Sequence, residues 1–167
     1  DLKNQIELIF EKRVLTAFED DKKTFKPLYP STVISIFEHP CIENGMSYYE
    51  GGTEYTVISP HIGGLPDVAN SLYAIKKVVF DDKIISFSDF MTVLRNDWEN
   101  NEELRKHILT KYEYFGNDND EADAIAQRIV EDFADACDSK KGTDGFFTIA
   151  GISTFGRQLE WSRRRLA

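Results

Sequence analysis

The sequence predicts an α/β chain that is predominantly helical. Apolar residues recur at helical spacing along most of its 167 residues. Only two short runs, 54–59 and 146–152, combine β-branched and aromatic residues in the manner of strands. Most glycines and the prolines fall between these segments rather than inside them. An apolar content of 41% is enough to offset chain entropy in a folded core, which excludes global disorder.

Leu2, Ile6, Ile9 with Phe10, Leu15 and Phe18 approximate one face of a first helix, ended by Asp20-Asp21-Lys22-Lys23. Pro27 and Pro30 bracket a loop, Ser31 is placed to cap a short helix from Thr32 to Phe37, and Pro40 is expected to stop it. Gly51-Gly52 reads as a hinge, because paired glycines permit positive φ and close backbone approach. The run Glu54 to Ser59 reads as a strand, followed by a loop through Pro60, Gly63, Gly64 and Pro66. A helix from Asp67 to Phe80 presents Val68, Leu72, Ile75 and Val79 on one face. Ser86 with Asp89 makes a variant capping box for a helix through Trp98, and Glu102 to Leu109 adds a short one.

The longest helix runs from Asp118 to Cys137, with Ala122, Ile125, Ala126, Ile129, Val130, Phe133 and Ala136 as its stripe. Gly142 and Gly145 bound the next turn. Phe146 to Ile152 is a continuous apolar run that suits a strand buried on both faces, and Arg157 to Ala167 is again helix-like. Two lone strands do not make a stable sheet, so both need neighbours that the chain is not expected to supply.

Charge narrows the partners. Lys plus Arg total 20 and Asp plus Glu 29, a net charge of −9, which repels phosphate backbones. Arg163-Arg164-Arg165 beside Trp161 therefore reads as a solvated or interdomain face rather than a nucleic-acid site. No segment approaches the roughly 20 apolar residues that span a bilayer, and the first residues lack the basic and apolar regions of a signal peptide. Cys41 and Cys137 fit no metal or redox spacing; one long-range disulfide is conceivable, but free thiols in a reducing cytoplasm are the preferred reading.

Local chemical motifs are incomplete. His39, His61 and His107 have no mutual metal-binding spacing. Asp118-Asn119-Asp120 opens like a calcium loop but lacks the sixth-position Gly and twelfth-position Glu. Gly151-Ile152-Ser153-Thr154-Phe155-Gly156 is one residue too long for a nucleophile elbow and lacks the Lys of a phosphate loop. No nucleophile, base and stabiliser assemble, and the chain is expected to hold no metal and no catalytic residue of its own.

An ordered set of segments nevertheless resembles one family. Cys41-Ile42-Glu43-Asn44-Gly45, Gly51-Gly52-Thr53-Glu54-Tyr55 and Val68-Ala69-Asn70-Ser71-Leu72-Tyr73-Ala74-Ile75-Lys76-Lys77-Val78-Val79-Phe80 resemble the glycyl radical enzymes, the pyruvate formate-lyase-like superfamily. Arg95-Asn96-Asp97-Trp98-Glu99, Glu102-Glu103-Leu104-Arg105 and Gly116-Asn117-Asp118-Asn119-Asp120 with Asp123 continue the likeness in the same order, over roughly residues 30–160.

The resemblance implies a ten-stranded α/β barrel ringed by helices, with residues 1–167 a single piece of that larger catalytic domain and two short strands in this stretch. It implies a radical installed on a backbone glycine by an activating enzyme that uses S-adenosylmethionine and an iron–sulfur cluster. That radical passes to a cysteine, whose thiyl abstracts hydrogen from a small-molecule substrate. The family's R-V-x-G-Y and G-C-x-E loops do not occur in this sequence, so the likeness implies a fragment lying between them, inactive alone, in a cytoplasmic, anaerobic setting. Partners implied by the resemblance are the activating enzyme, the remainder of the parent polypeptide and a second copy of the chain. A non-catalytic assembly or regulatory module derived from the same fold is the alternative.

By position within the family, Tyr55, Ser59, Ile152 and Ser153 would contribute walls of the substrate cavity, with His61 a polar group at its mouth. Each has a plainer reading: a buried aromatic for Tyr55, turn or strand-end hydroxyls for Ser59 and Ser153, core packing for Ile152. Tyr55 is followed by Thr56-Val57-Ile58-Ser59-Pro60-His61 in place of the common Asn and Thr-Gly-Pro-Gln-type loop. The Asn70-Ser71-Leu72 and Asp97-Trp98-Glu99 variants lean toward arylacetate decarboxylases and hydrocarbon-succinate synthases rather than diol dehydratases. Lys76 and Lys77 are expected on a helix exterior.

Overall fold

The computed structural model describes residues 2–17, 20, 23–24, 31–138 and 146–153. They form two compact units, one taking in residues up to Ile62 together with Glu131–Ser153, the other built on Gly63–Val130. The predicted turn at Gly142 and Gly145, the loop between Pro27 and Pro30 and the final helix lie outside the described residues.

In the first unit, α1 (Leu2–Ile9) runs into a π-turn at Phe10–Val14. Phe10 is buried with Phe133 and Cys137, and Ile6, Val14, Leu15, Ile62 and Ala150 pack around them. Burying a side chain such as Phe10 stabilises by about 1.5–3 kcal/mol, enough to hold a helix with few other anchors. Lys3 Nζ adds contacts to Asp135 at 3.1 Å and Asp132 at 3.7 Å.

The next helix, α2 (Thr32–Ser35), is shorter than expected, and Ser31 precedes it without a side-chain capping bond to the helix. Instead the Ser35 hydroxyl donates back to the Ser31 carbonyl at 2.6 Å. Pro40 does not act as a stop: it lies in the first turn of α3 (His39–Asn44), where a missing N–H leaves no helical bond unmade. Pro66 likewise opens α4 (Leu65–Ile75), which therefore begins before Asp67. The glycine pair behaves as read: Gly51 has φ of 87°, and a Cβ on Gly52 would collide with the Met46 carbonyl.

The predicted strand Glu54 to Ser59 forms as β1 (Thr56–Ile58), β2 (His61–Ile62) forms inside the predicted loop, and the predicted run Phe146 to Ile152 is interrupted in the middle, giving β3 (Phe146–Thr148) and β4 (Gly151–Ile152). The break between β1 and β2 falls at Ser59-Pro60, where proline lacks the N–H a ladder needs. The two runs supply each other's neighbours, correcting the expectation that they stand unpaired: β1 pairs with β3 and β2 with β4, both parallel. Thr56 pairs with Phe146 and His61 with Gly151, so both ladders carry the same 90-residue offset. Across the gap the Gly151 N–H donates to the Pro60 carbonyl at 2.9 Å, and beyond β4 the Ser153 N–H donates to the Ile62 carbonyl at 2.9 Å. The four pieces are one parallel pairing, broken once. Burial on both faces does not hold for the second run, because Ile149 is 51% and Ile152 54% exposed.

The second unit centres on Ala74, Val78, Val79, Phe90 and Ile108. A π-turn at Lys76–Asp81 continues α4, and α5 (Phe87–Arg95) and α6 (Glu102–Lys111) follow. Ser86 caps α5 as expected: its hydroxyl accepts from the Asp89 N–H at 3.2 Å and donates to the Asp89 carboxylate at 2.6 Å. The face of α4 differs from the expected stripe. Ala69, Tyr73 and Ala74 are buried, whereas Val68 is 41% and Leu72 36% exposed. Small alanines admit close packing, and the Tyr73 hydroxyl finds Asn119 as a donor at 3.0 Å. The α7 helix (Asp120–Asp138) supplies residues up to Val130 to this unit and from Glu131 to the other. Its stripe is largely as read, with Ala122, Ala126, Ile129, Phe133 and Ala136 all buried.

Lys76 and Lys77 are not simply exterior. Lys77 Nζ lies 3.0 Å from Asp81 and 3.2 Å from Glu121, and Lys76 contacts the same two carboxylates. Hydrogen bonds donated by the lysines hold both carboxyls below their usual range, and the same bonds raise both ammonium groups. Among the described residues no helix is long and apolar enough to cross a membrane.

Candidate functional site

Period-two alternation along β1 and β2 sorts the predicted site residues. Tyr55, Val57, Ser59 and His61 are all exposed, while Pro60 is buried and Ile62 packs into the core with Ala150. One edge-to-edge ribbon thus has an inner apolar face on Phe10, Phe133 and Cys137 and an outer face bearing a phenol, a hydroxyl and an imidazole.

Register extends the outer face to the second run. In a parallel ladder paired residues share a face, so Gly151 stands beside His61, the same offset puts Ile149 beside Ser59, and Ser153 follows two residues after Gly151 on the same side. Four predicted residues, Tyr55, Ser59, His61 and Ser153, therefore share one face. Ile152 does not join them: it pairs with Ile62 on the opposite face. Tyr55 is 62% exposed, so it is not a core aromatic of this unit, and Ile152 at 54% is not a core aliphatic. Val57, Ile149 and Gly151 belong to the outer face and were missed; alternation counted through the Pro60 break would have found them.

Local contacts fix the ribbon's entry. The Thr53 hydroxyl donates to the Tyr55 carbonyl at 3.1 Å, and the Asn44 amide donates to the Gly52 carbonyl at 3.2 Å. Together they tie the chain before β1 to α3. At the other end, the His61 ring lies against Gly151: a Cβ there would come within 2.6 Å of Cδ2 and of Nε2.

Chemically, this face offers hydrogen-bond donors and acceptors on an apolar ground of Val57 and Ile149. That suits orientation of a small polar molecule, with most contact area apolar and a few polar groups setting its pose. Among the described residues no cluster of three or more His, Cys, Asp and Glu side chains is placed to hold a metal ion. Cys41 and Cys137 are both free and buried, as preferred from the sequence. Burial pushes the Cys137 thiol up to about 11 and raises Cys41 as well, so neither is an activated thiolate.

The family described as pyruvate formate lyase-like matches residues 3–161. (2S)-3-sulfopropanediol dehydratase of Klebsiella oxytoca is 32% identical over 107 residues, covering 64% of this chain and 13% of that protein. The glycerol-bound B12-independent glycerol dehydratase of Clostridium butyricum superposes with a TM-score of 0.78 at 30% identity, over 89% of this chain and 19% of that one. Indoleacetate decarboxylase of Tractidigestivibacter scatoligenes is 24% identical, over 72% of this chain and 16% of that protein. Dehydratases and a decarboxylase are thus both among its relatives, with identity higher to the dehydratases. The chain spans less than a fifth of the length of these relatives. With nearly all of its residues matched in order and its fold shared, the chain belongs to the pyruvate formate lyase-like family of glycyl radical enzymes.

Proposed function

We propose that this chain forms part of the substrate-cavity wall of a glycyl radical lyase that cleaves a C–heteroatom or C–C bond of a small polar molecule. Residues 1–167 are one piece of the larger barrel domain, and the radical glycine and thiyl cysteine lie on other parts of the parent polypeptide. The observation that carries this reading is the outer face of the ribbon, which gathers Tyr55, Ser59, His61 and Ser153 from segments 90 residues apart. Higher identity to dehydratases than to a decarboxylase favours loss of water or another heteroatom group.

In such a site the radical glycine, once installed by an activating enzyme, supplies a thiyl that takes one hydrogen atom from a substrate carbon. The residues of this chain act before and after that event. The hydroxyls of Tyr55, Ser59 and Ser153 and the imidazole of His61 hold the polar substituents of the substrate, so that one C–H bond is presented. Val57 and Ile149 keep water from the face. Holding the reactants in one pose supplies much of the rate in this chemistry. The reading places the enzyme in an oxygen-free cytoplasm.

The experiment is substitution in the full-length, anaerobically activated parent enzyme. His61→Ala and Ser59→Ala should raise KM while the glycyl radical signal in electron paramagnetic resonance stays unchanged. Turnover and KM unaltered in both variants would remove these residues from the cavity. A native polypeptide of only this length in the source cells would instead favour a role in assembly or regulation.

A further inference from the structure

We infer that Gly151 is a positioning residue for the His61 imidazole, a flat seat on which the ring is stacked so that its two nitrogens point along the face. The inference rests on the reading of His61 as a cavity residue and adds what orients it. A Cβ built on Gly151 would lie 2.6 Å from Cδ2, 2.6 Å from Nε2 and 3.0 Å from Cε1 of His61. A point in the ring plane beyond Nε2 would be much nearer to that atom than to its neighbours. Near-equal distances to all three put the point over the ring's face. The imidazole therefore turns its face to the side-chain position of residue 151, in the volume any other side chain would take.

Conformation does not explain this glycine. Positive φ occurs at Gly45, Gly51, Gly64 and Gly116, and not at Gly151. A glycine inside a strand weakens it and marks a close approach by another group. Here the approaching group is His61, its partner in the β2–β4 pairing. Hydrogen bonds of an imidazole lie in the ring plane. Face-on stacking against Gly151 leaves those directions clear while restricting the ring's rotation, which preorganises a donor or acceptor for a substrate group.

The test uses the full-length, activated parent enzyme with Gly151→Ala, His61→Ala and the double variant. Displacing the ring should raise KM in Gly151→Ala, toward the roughly 100-fold that a misplacement of about 1 Å can cost, with radical content unchanged. The double variant should be no worse than His61→Ala alone, because the added methyl then has no ring to displace. Losses that multiply in the double variant, or a Gly151→Ala enzyme with unaltered kinetics and exchange, would overturn the inference.

Backbone hydrogen exchange across residues 146–153 separates the two ideas. If His61→Ala leaves KM untouched, the cavity reading fails. The seat still stands if Gly151→Ala speeds exchange there and the double variant restores it, and falls if exchange is not restored. Should Gly151→Ala not accumulate as soluble enzyme, its recovery by the double variant demonstrates the same coupling, and failure to recover refutes it.

Discussion

The Asn119 side chain joins Tyr73 across 46 residues of sequence: its amide donates to the buried Tyr73 hydroxyl at 3.0 Å. Its other end caps α7, since the Asn119 carbonyl oxygen accepts from the Glu121 N–H at 3.1 Å and the Ala122 N–H at 3.4 Å. One side chain thus starts a helix and ties that start to α4. Asn119→Ala should cost about 1–2 kcal/mol, seen as faster amide exchange at Glu121 and Ala122. Asn119→Asp keeps the cap acceptor and loses the amide donor to the Glu113 carbonyl, so it should recover the two amides without restoring that contact.

Gly52 cannot accept a side chain. A Cβ there would meet the Met46 backbone carbonyl and lie 3.0 Å from Cys41 Sγ. A carbonyl held in the chain cannot rotate aside as a side chain can. Gly52→Ala should destabilise α3 and the following turn by about 1–3 kcal/mol, measured as lost exchange protection over residues 41–52. Gly45→Ala, where nothing stands within 4 Å but φ is 61°, should cost less.

The cluster of Lys76, Lys77, Asp81 and Glu121 makes a pH prediction with a sign at each end. The carboxyl values of Asp81 and Glu121 are lowered from 3.8 and 4.5. Their contribution is therefore complete above those ordinary values and is lost as pH falls through the lowered ones. Both lysines are raised from 10.5, so their contribution is complete below that and is lost only as pH rises through the raised values. Side-chain exposures of 22% to 44% leave the charges open to screening. The denaturant midpoint should be flat across neutral pH, fall on the acid side and fall with added salt. Glu121→Gln should reduce both the acid slope and the salt dependence.

Thiol chemistry tests the packing of the first unit. Cys137 is fully buried with its thiol pushed up to about 11, chiefly by burial. Cys41 is 4% exposed and raised for the same cause. Near pH 8, where an ordinary thiol is partly ionised, iodoacetamide should label neither in the native protein and both after denaturation. Rapid native labelling of Cys137 would mean that the Phe10–Phe133–Cys137 core is open.

Much of the helical architecture was readable because its signals are local. Ala122, Ala126, Ile129, Phe133 and Ala136 repeat at helical spacing, and Ser86 with Asp89 sits within one turn. Pro40 and Pro66 were misread because a missing N–H suits the first turn of a helix as well as its end. Ala69 and Tyr73 were overlooked in favour of Val68 and Leu72, since side-chain size alone does not reveal which face has a partner for a hydroxyl. The pairing of β1 with β3 was not readable at all: nothing near Thr56 encodes Phe146. At the candidate site, Tyr55, Ser59 and His61 followed from their place in the family pattern. The demand for glycine at 151 is set by a ring at position 61, and no local rule reports it.

The 90-residue offset of the broken ladder also sets a schedule for synthesis. β1 and β2 leave the ribosome long before their partners exist. At about 5–20 residues per second, β3 and β4 follow roughly 5–20 s later. During that interval Val57 and Ile62 sit on an open strand edge, while the helices from α4 onward are made and can pack locally. The ribbon that carries Tyr55, Ser59 and His61 can therefore close only after the helices between its two runs have been made. A pause or a truncation before Phe146 would leave it as an adhesive edge for other nascent chains.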